Sequence, residues 1–233
     1  MAVEEITFWE NIALSKWGSY IAEIEKDAVL QASRMLKKPT TALDIGCEGG
    51  RWSQLLVDSG WQVICTDINP ETLAICRERL PTAECILTSP DATRLPLATA
   101  SVDLVLCIEV SAVVDADWFA DEVRRALRPE GLLVADVTNS QSARGVVYRL
   151  LSLFDARRRS YAYTPYKFNY GQRRRGLIKR GFSLEYELGF CWFPFSRASN
   201  SSLVPGFTRL EKRLGLGRLI TLSPWIVFIA RKI

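Results

Sequence analysis

Short apolar runs alternate with helix-length segments through the first half of the chain, and this beat constrains the fold more than any other feature. "TALDI" is strand-like, "GRWSQLLVDSG" reads as a helix stopped by Gly60, and "WQVICTD" reads as a second strand. "NPETLAICRERL" follows as a helix with Asn69 as its N-cap and Pro70 in its first turn. "AECILT" and "SVDLVLCIEV" are further strands, "DADWFADEVRRALRP" is a helix starting near Asp115 or Asp117, and "GLLVADV" is another buried strand. Apolar strands alternating with helices of about ten to fifteen residues mean βαβ units. The expected fold is α/β: a Rossmann-like, doubly wound, mostly parallel sheet.

The flanks depart from that beat. Residues 18–37 predict an amphipathic helix through Ile21, Ile24, Ala28, Val29, Ala32 and Leu36, ended by Pro39. A second amphipathic helix is expected over 142–157, then the polar, aromatic and basic run "RRRSYAYTPYKFNYGQRRR". "GQRRRGLIKR" is helical up to Gly181, "FSLEYELGF" alternates like a half-exposed strand, a helix spans about 203–214, and "WIVFIARKI" is a closing strand. With no repeat and no low-complexity linker, the 233 residues read as one domain. No apolar run reaches the length of a membrane span. The opening "MAVEEITFWE" is acidic and mixed, unlike a signal or transit peptide. Six scattered cysteines without a C-x-x-C pair read as reduced, mostly buried thiols, and the expected compartment is the cytoplasm.

The turn after the first strand carries the chemistry. "TTALDIGCEGGRW" runs from a strand through an acidic residue into a glycine-rich turn and a helix, the arrangement by which doubly wound sheets cradle a nucleotide. Dinucleotides and S-adenosylmethionine (SAM) both use it. The dinucleotide fingerprint G-x-G-x-x-G does not fit, because Glu48 stands where its second glycine belongs. A carboxylate beside a pyrophosphate is repelled. SAM carries no phosphate, and its sulfonium and ammonium tolerate a neighbouring Glu. Histidine is absent, which removes a His general base, a Ser-His-Asp triad and the usual zinc sites.

"ALDIGCEGGRW" resembles the first motif of the class I SAM-dependent methyltransferases, closest to the broad small-molecule group (methyltransferase type 11) that includes the quinone C-methyltransferases. "VICTDIN", "SPDATRLPL", "SVDLVLCIEV" and "ALRPEGLLVADV" follow in the family's order, and "LIKRGFSLEYE" and "WIVFIARK" resemble its last helix and closing strand pair. The likeness is close over 40–137 and looser over 172–233. It implies SAM as cofactor, no metal, an antiparallel last strand, and three parts: an N-terminal helical lid (1–38), a SAM-binding core (39–137), and an acceptor lid with closing strands (138–233). It implies that Asp44, Gly46, Cys47, Glu48, Gly49 and Gly50 form the loop on the methionine part of SAM. Asp67 would take the ribose hydroxyls, with Ile68 also in the cofactor site, Asp91 and Ala92 would take the adenine, and Cys107 and Ile108 the donor end. Two departures stand out: Glu48 replaces a customary glycine, and the His that many relatives carry after the fourth strand is missing from "EVSAVVDAD".

Methyl transfer is an in-line displacement at an activated carbon, so alignment supplies most of the rate, and a base is needed only for a hydroxyl or carbon acid. Glu109, Asp136, Tyr161, Tyr163 and Tyr166 are the candidates. Residues 1–136 hold 12 Lys/Arg against 22 Asp/Glu, while 137–233 hold 18 against 4. This split suggests that the second half faces an anionic acceptor, a nucleic acid or an anionic membrane, or simply balances the first. The expected function is methyl transfer to a small molecule with an anionic or lipid-linked group. RNA methylation and SAM binding without catalysis are the alternatives.

Overall fold

The computed structural model describes residues 6–36, 38–154 and 166–233. In chain order the elements are α1 (Phe8–Ala13), α2 (Lys16–Met35), β1 (Thr41–Ile45), α3 (Arg51–Asp58), β2 (Gln62–Asp67), α4 (Pro70–Arg79), β3 (Glu84–Leu87) and β4 (Val102–Cys107). Then come α5 (Ser111–Val114), α6 (Phe119–Ala126), β5 (Leu127–Thr138), α7 (Ala143–Phe154), α8 (Tyr170–Lys179), β6 (Phe182–Phe190), α9 (Val204–Arg213) and β7 (Trp225–Lys232).

The strands form one seven-stranded sheet in the order β3-β2-β1-β4-β5-β7-β6. β1 to β5 pair in parallel, and β7 runs antiparallel between β5 and β6. Successive residues of each central strand serve opposite faces, as period-two side chains require. Ala42, Leu104, Leu106, Leu132 and Val134 pack with Trp17, Ile21, Val29 and Leu56 on one face. Leu43, Val105, Leu133 and Ala135 pack with Phe119, Val123, Tyr170 and Leu177 on the other. Both faces are covered, which is why the core strands read as nearly continuous apolar runs.

Strand order reverses between β1 and β4, so a crevice opens beyond their carboxyl ends, where open α/β sheets take ligands. Asn69 caps α4 as expected, its Oδ1 accepting from Glu71 N at 2.9 Å. The expected helix near Asp115 is two pieces, α5 and α6, and the run "ALRP" belongs mostly to the start of β5, where Leu127 pairs with Val102. α1 was not expected. It sits over the crevice, joined to α2 through Ser15, whose side chain accepts from Gly18 N at 3.0 Å.

Candidate functional site

The turn from β1 to α3 passes through the left-handed region at Gly46, Glu48 and Gly50. A Cβ on Gly46 would stand 2.5 Å from Val110 Cγ2, so the ends of β1 and β4 meet through bare backbone. Glu48 holds its φ of +50° although it carries a side chain. Its amide donates to Asp67 Oδ2 at 2.8 Å. Gly46 N and Cys47 N donate to Thr66 O at 2.7 and 3.1 Å, and Gly50 N to Cys47 O at 2.8 Å. Four amides of the turn are therefore consumed by protein acceptors. A phosphate cradle needs such amides directed at the ligand, and these four point at protein acceptors instead.

The Glu48 carboxylate reaches across to α1. Its Oε2 accepts from the Thr7 hydroxyl at 2.7 Å, and its Oε1 from Trp9 N at 3.1 Å. Arg79 reinforces this link, donating to Glu10 Oε1 at 2.6 Å and to Gly49 O at 3.0 Å. A Cβ on Gly49 would lie 2.6 Å from Thr7 Cγ2, so the helix can approach only a glycine there.

Beneath α1 lies a cavity of about 610 Å³. Of the sequence-predicted site residues, Gly46, Cys47, Glu48, Asp67, Ile68, Ala92, Ile108 and Glu109 line it. Asp67 accepts from two amides, Glu48 N and Asn69 N, each at 2.8 Å, which fixes its carboxylate at the tip of β2. Phe8 and Trp9 close one side, and Val113, Ala116 and Trp118 form an apolar wall on another.

Other predicted residues stand elsewhere. Asp44 is buried behind the turn, where its Oδ2 accepts from Ser53 Oγ at 2.6 Å and burial pushes its carboxyl up to about 7. It ties β1 to α3 and does not line the cavity. Gly49, Gly50 and Cys107 likewise lie outside the lining, as does the exposed Asp91, whose amide donates to Ser89 Oγ at 3.3 Å. Tyr166 packs against Tyr148 with its amide on Thr138 Oγ1, away from the cavity, and burial raises its phenol. Tyr161 and Tyr163 lie outside the described residues.

Beyond the end of β4, Glu109 is ion-paired with Arg197 at 2.9 Å and faces Arg51 at 4.0 Å. Its amide donates to Asp136 Oδ1 at 2.5 Å. Arg197 lies between the rings of Trp9 and Trp225, 4.7 and 4.3 Å from their centroids. Behind them Glu25, fully buried on α2, faces Arg51 at 3.6 Å, and neither of its oxygens has a hydrogen-bond partner. Burial, then the charges of Glu109 and Asp136, hold Glu25 well above the ordinary carboxylate range. Burial and the Glu109 charge push Asp136 up to about 7. Sequence reading missed Glu25 and Arg197. Glu25 was detectable, because it lies in helical phase with Ile21, Ala28 and Ala32; Arg197, in a loop after β6, carried no such signal.

Part of the charge split is neutralised internally. Arg173 pairs with Asp115, Arg180 with Asp121 at 3.0 Å, and Arg231 with Glu130 at 3.9 Å, each joining the basic half to the acidic one.

Residues 43–135 match a family model described as a methyltransferase domain. An uncharacterised methyltransferase-like protein of Schizosaccharomyces pombe is 28% identical over 70% of this chain and 60% of its own length. An uncharacterised methyltransferase of Mycobacterium tuberculosis is 37% identical over 39% of this chain and 37% of its own length. The chain thus matches less than two thirds of each of these relatives. In fold, it resembles the crystal structure of an S-adenosylmethionine-dependent methyltransferase from Mesorhizobium loti, with a TM-score of 0.61, 18% identity, and coverage of 95% of this chain and 100% of that one. Residues 43–135 thus resemble a methyltransferase domain, on a fold shared with S-adenosylmethionine-dependent methyltransferases.

Proposed function

We propose that this protein transfers a methyl group from SAM to a small-molecule acceptor that carries an anionic or lipid-linked portion. One observation carries the reading: a single cavity gathers the ends of β1, β2 and β4 with Gly46, Asp67, Ile68 and Glu109 on its wall, beside a turn four of whose amides already have protein acceptors. When bound, SAM supplies a sulfonium-activated methyl. Asp67 offers carboxylate oxygens to the ribose hydroxyls, and Ile68, exposed at the tip of β2, offers an apolar face to the adenine. Phe8 and Trp9 exclude water on the α1 side. Glu109, held by Arg197 and Arg51, presents a carboxylate at the donor end, placed to accept a proton from an acceptor hydroxyl or carbon acid.

The acceptor side is apolar where Val113, Ala116 and Trp118 line the cavity. On the outside, α9, its N-cap and the segment after it expose Leu203, Leu210, Leu214, Leu219 and Leu222 beside the exposed Arg209, Lys212 and Arg213. A surface that mixes leucines with basic residues suits an anionic lipid interface. This supports a lipid-linked acceptor, such as the rings that quinone C-methyltransferases modify.

Incubation with methyl-labelled SAM and a lipid-plus-metabolite extract tests the reading. Label is expected in the small-molecule or lipid fraction, with one S-adenosylhomocysteine released per methyl transferred. Label confined to added RNA would establish the RNA alternative. Bound SAM with no S-adenosylhomocysteine from any fraction would establish a non-catalytic binder.

A further inference from the structure

Four of the six cysteines, each from a different part of the fold, meet beneath the glycine turn. Cys47 belongs to the turn, Cys65 to β2, Cys76 to α4 and Cys85 to β3. The Sγ atoms of Cys47, Cys65 and Cys76 all lie within 4.8 Å of one another, and all three residues are buried. Cys85 Sγ is 3.9 Å from Cys76 Sγ. Cys65 and Cys85 are register partners on neighbouring strands, so their side chains leave the same face of the sheet, onto which α4 packs Cys76.

We propose that this cluster is a zinc site in which the thiolates of Cys47, Cys65 and Cys76 bind Zn²⁺ and Cys85 completes the tetrahedron. Zinc–sulfur bonds of about 2.3 Å at tetrahedral angles place sulfur atoms about 3.8 Å apart. The Cys76–Cys85 separation is near that value, and the sulfurs of Cys47, Cys65 and Cys76 come to it by closing about 1 Å at most, while Cys85 swings towards the other two from its place beside Cys76. An all-sulfur donor set selects zinc over the hard cations Mg²⁺ and Ca²⁺. Cys85 is only partly buried and gives the ion a way in. Each ligating thiol releases its proton to solvent, and nothing is oxidised or reduced. The resulting anionic centre has a cation beside it, because Arg77 Nη2 donates to Cys85 O at 3.1 Å. Ser53 Oγ, 3.2 Å from Cys65 Sγ, supplies an outer-shell polar contact.

The metal would fasten the turn that carries Cys47 to β2, β3 and α4, which places it directly under the cavity wall. The assignment stands on the sulfur positions alone and is independent of the SAM reading. It departs from the sequence expectation of no metal, since residues separated by 17, 10 and 8 intervening positions form no recognisable ligand motif.

Elemental analysis of the full chain, purified under reducing conditions without added metal and passed over a chelating resin, tests it. About one zinc per chain is expected. The ion should persist in Cys107→Ala and Cys191→Ala and be lost from Cys65→Ala/Cys76→Ala. Because that double variant removes two core side chains, Co²⁺ is added to the metal-free wild-type chain as a second probe. The visible and near-ultraviolet bands of tetrahedral thiolate-bound Co²⁺ should appear and be bleached by Zn²⁺. A chain that carries no zinc and gives no such bands overturns the site and leaves four core thiols. Zinc retained by the double variant overturns it too. Neither result bears on SAM binding, which is read separately by titration.

Discussion

Asp136 is fully buried on β5, with Oδ1 accepting from Glu109 N and Oδ2 without a hydrogen-bond partner. Its folded pKa, about 7, lies above the ordinary 3.8, so between those values the folded chain binds more protons than the unfolded one. The group therefore costs no stability at pH below about 3.8, costs progressively more as pH rises towards 7, and carries its full penalty above that. Asp136→Asn keeps the acceptor for Glu109 N and removes the charge. Its stability advantage over the wild type is expected to grow from pH 4 to 7 and then level off, reaching on the order of a few kcal/mol. Urea unfolding across that range reads it, and a pH-independent difference would contradict it. The same residue scale shows what sequence could disclose. A glutamate in phase with the buried face of α2 announces itself, whereas Arg197 reaches Glu109 only because the chain folds back over Trp9 and Trp225.

α1 is held in place by long-range contacts. Six residues are too few to show a helical period, and such a helix is marginal alone, which is why the sequence did not reveal it. It is held by Glu48, 39 positions away from Trp9. The Glu48 carboxylate forms the bridge that fixes α1 over the cavity, in a backbone conformation that glycine would adopt without strain. Glu48→Ala loses both bonds and keeps the strain, so a loss of about 1–3 kcal/mol is expected. Glu48→Gly recovers up to about 1 kcal/mol of that by relieving the backbone. In both variants residues before Ser15 should be cleaved faster by protease, and bound SAM should leave faster. Cleavage and release at wild-type rates would show that α1 is held by something else. The βαβ elements, by contrast, were legible almost to the residue. β1, β2 and β4 carry their periodicity locally, and Asn69-Pro70 marks the start of α4 by its own chemistry. The break between α5 and α6 was not legible, because Trp118 at the N-cap offers no side-chain cap to signal it.

For the whole molecule, the sheet order decides where function can lie. Reversal between β1 and β4 places the crevice, β7 locks β5 to β6 on the far side, and α2 brings Glu25 up to Arg51 beside it. The charge split that suggested an anionic partner is met partly by pairs between the halves, and the basic residues of α9 remain exposed beside leucines. The cofactor side of the site was readable as a sequence motif. The rest of the cavity wall was not, because α1 and the segment around Trp118, which line it, share no periodic signal.

The cavity under α1 is proposed to take SAM and to refuse a dinucleotide, and calorimetric titration of the full chain with SAM and with NAD decides between them. Saturable binding of one SAM per chain with NAD silent is expected, and Asp67→Ala should weaken SAM by about tenfold or more through loss of charge-assisted hydrogen bonds. A folded chain that leaves SAM unbound, or that binds NAD in its place, would overturn that proposal.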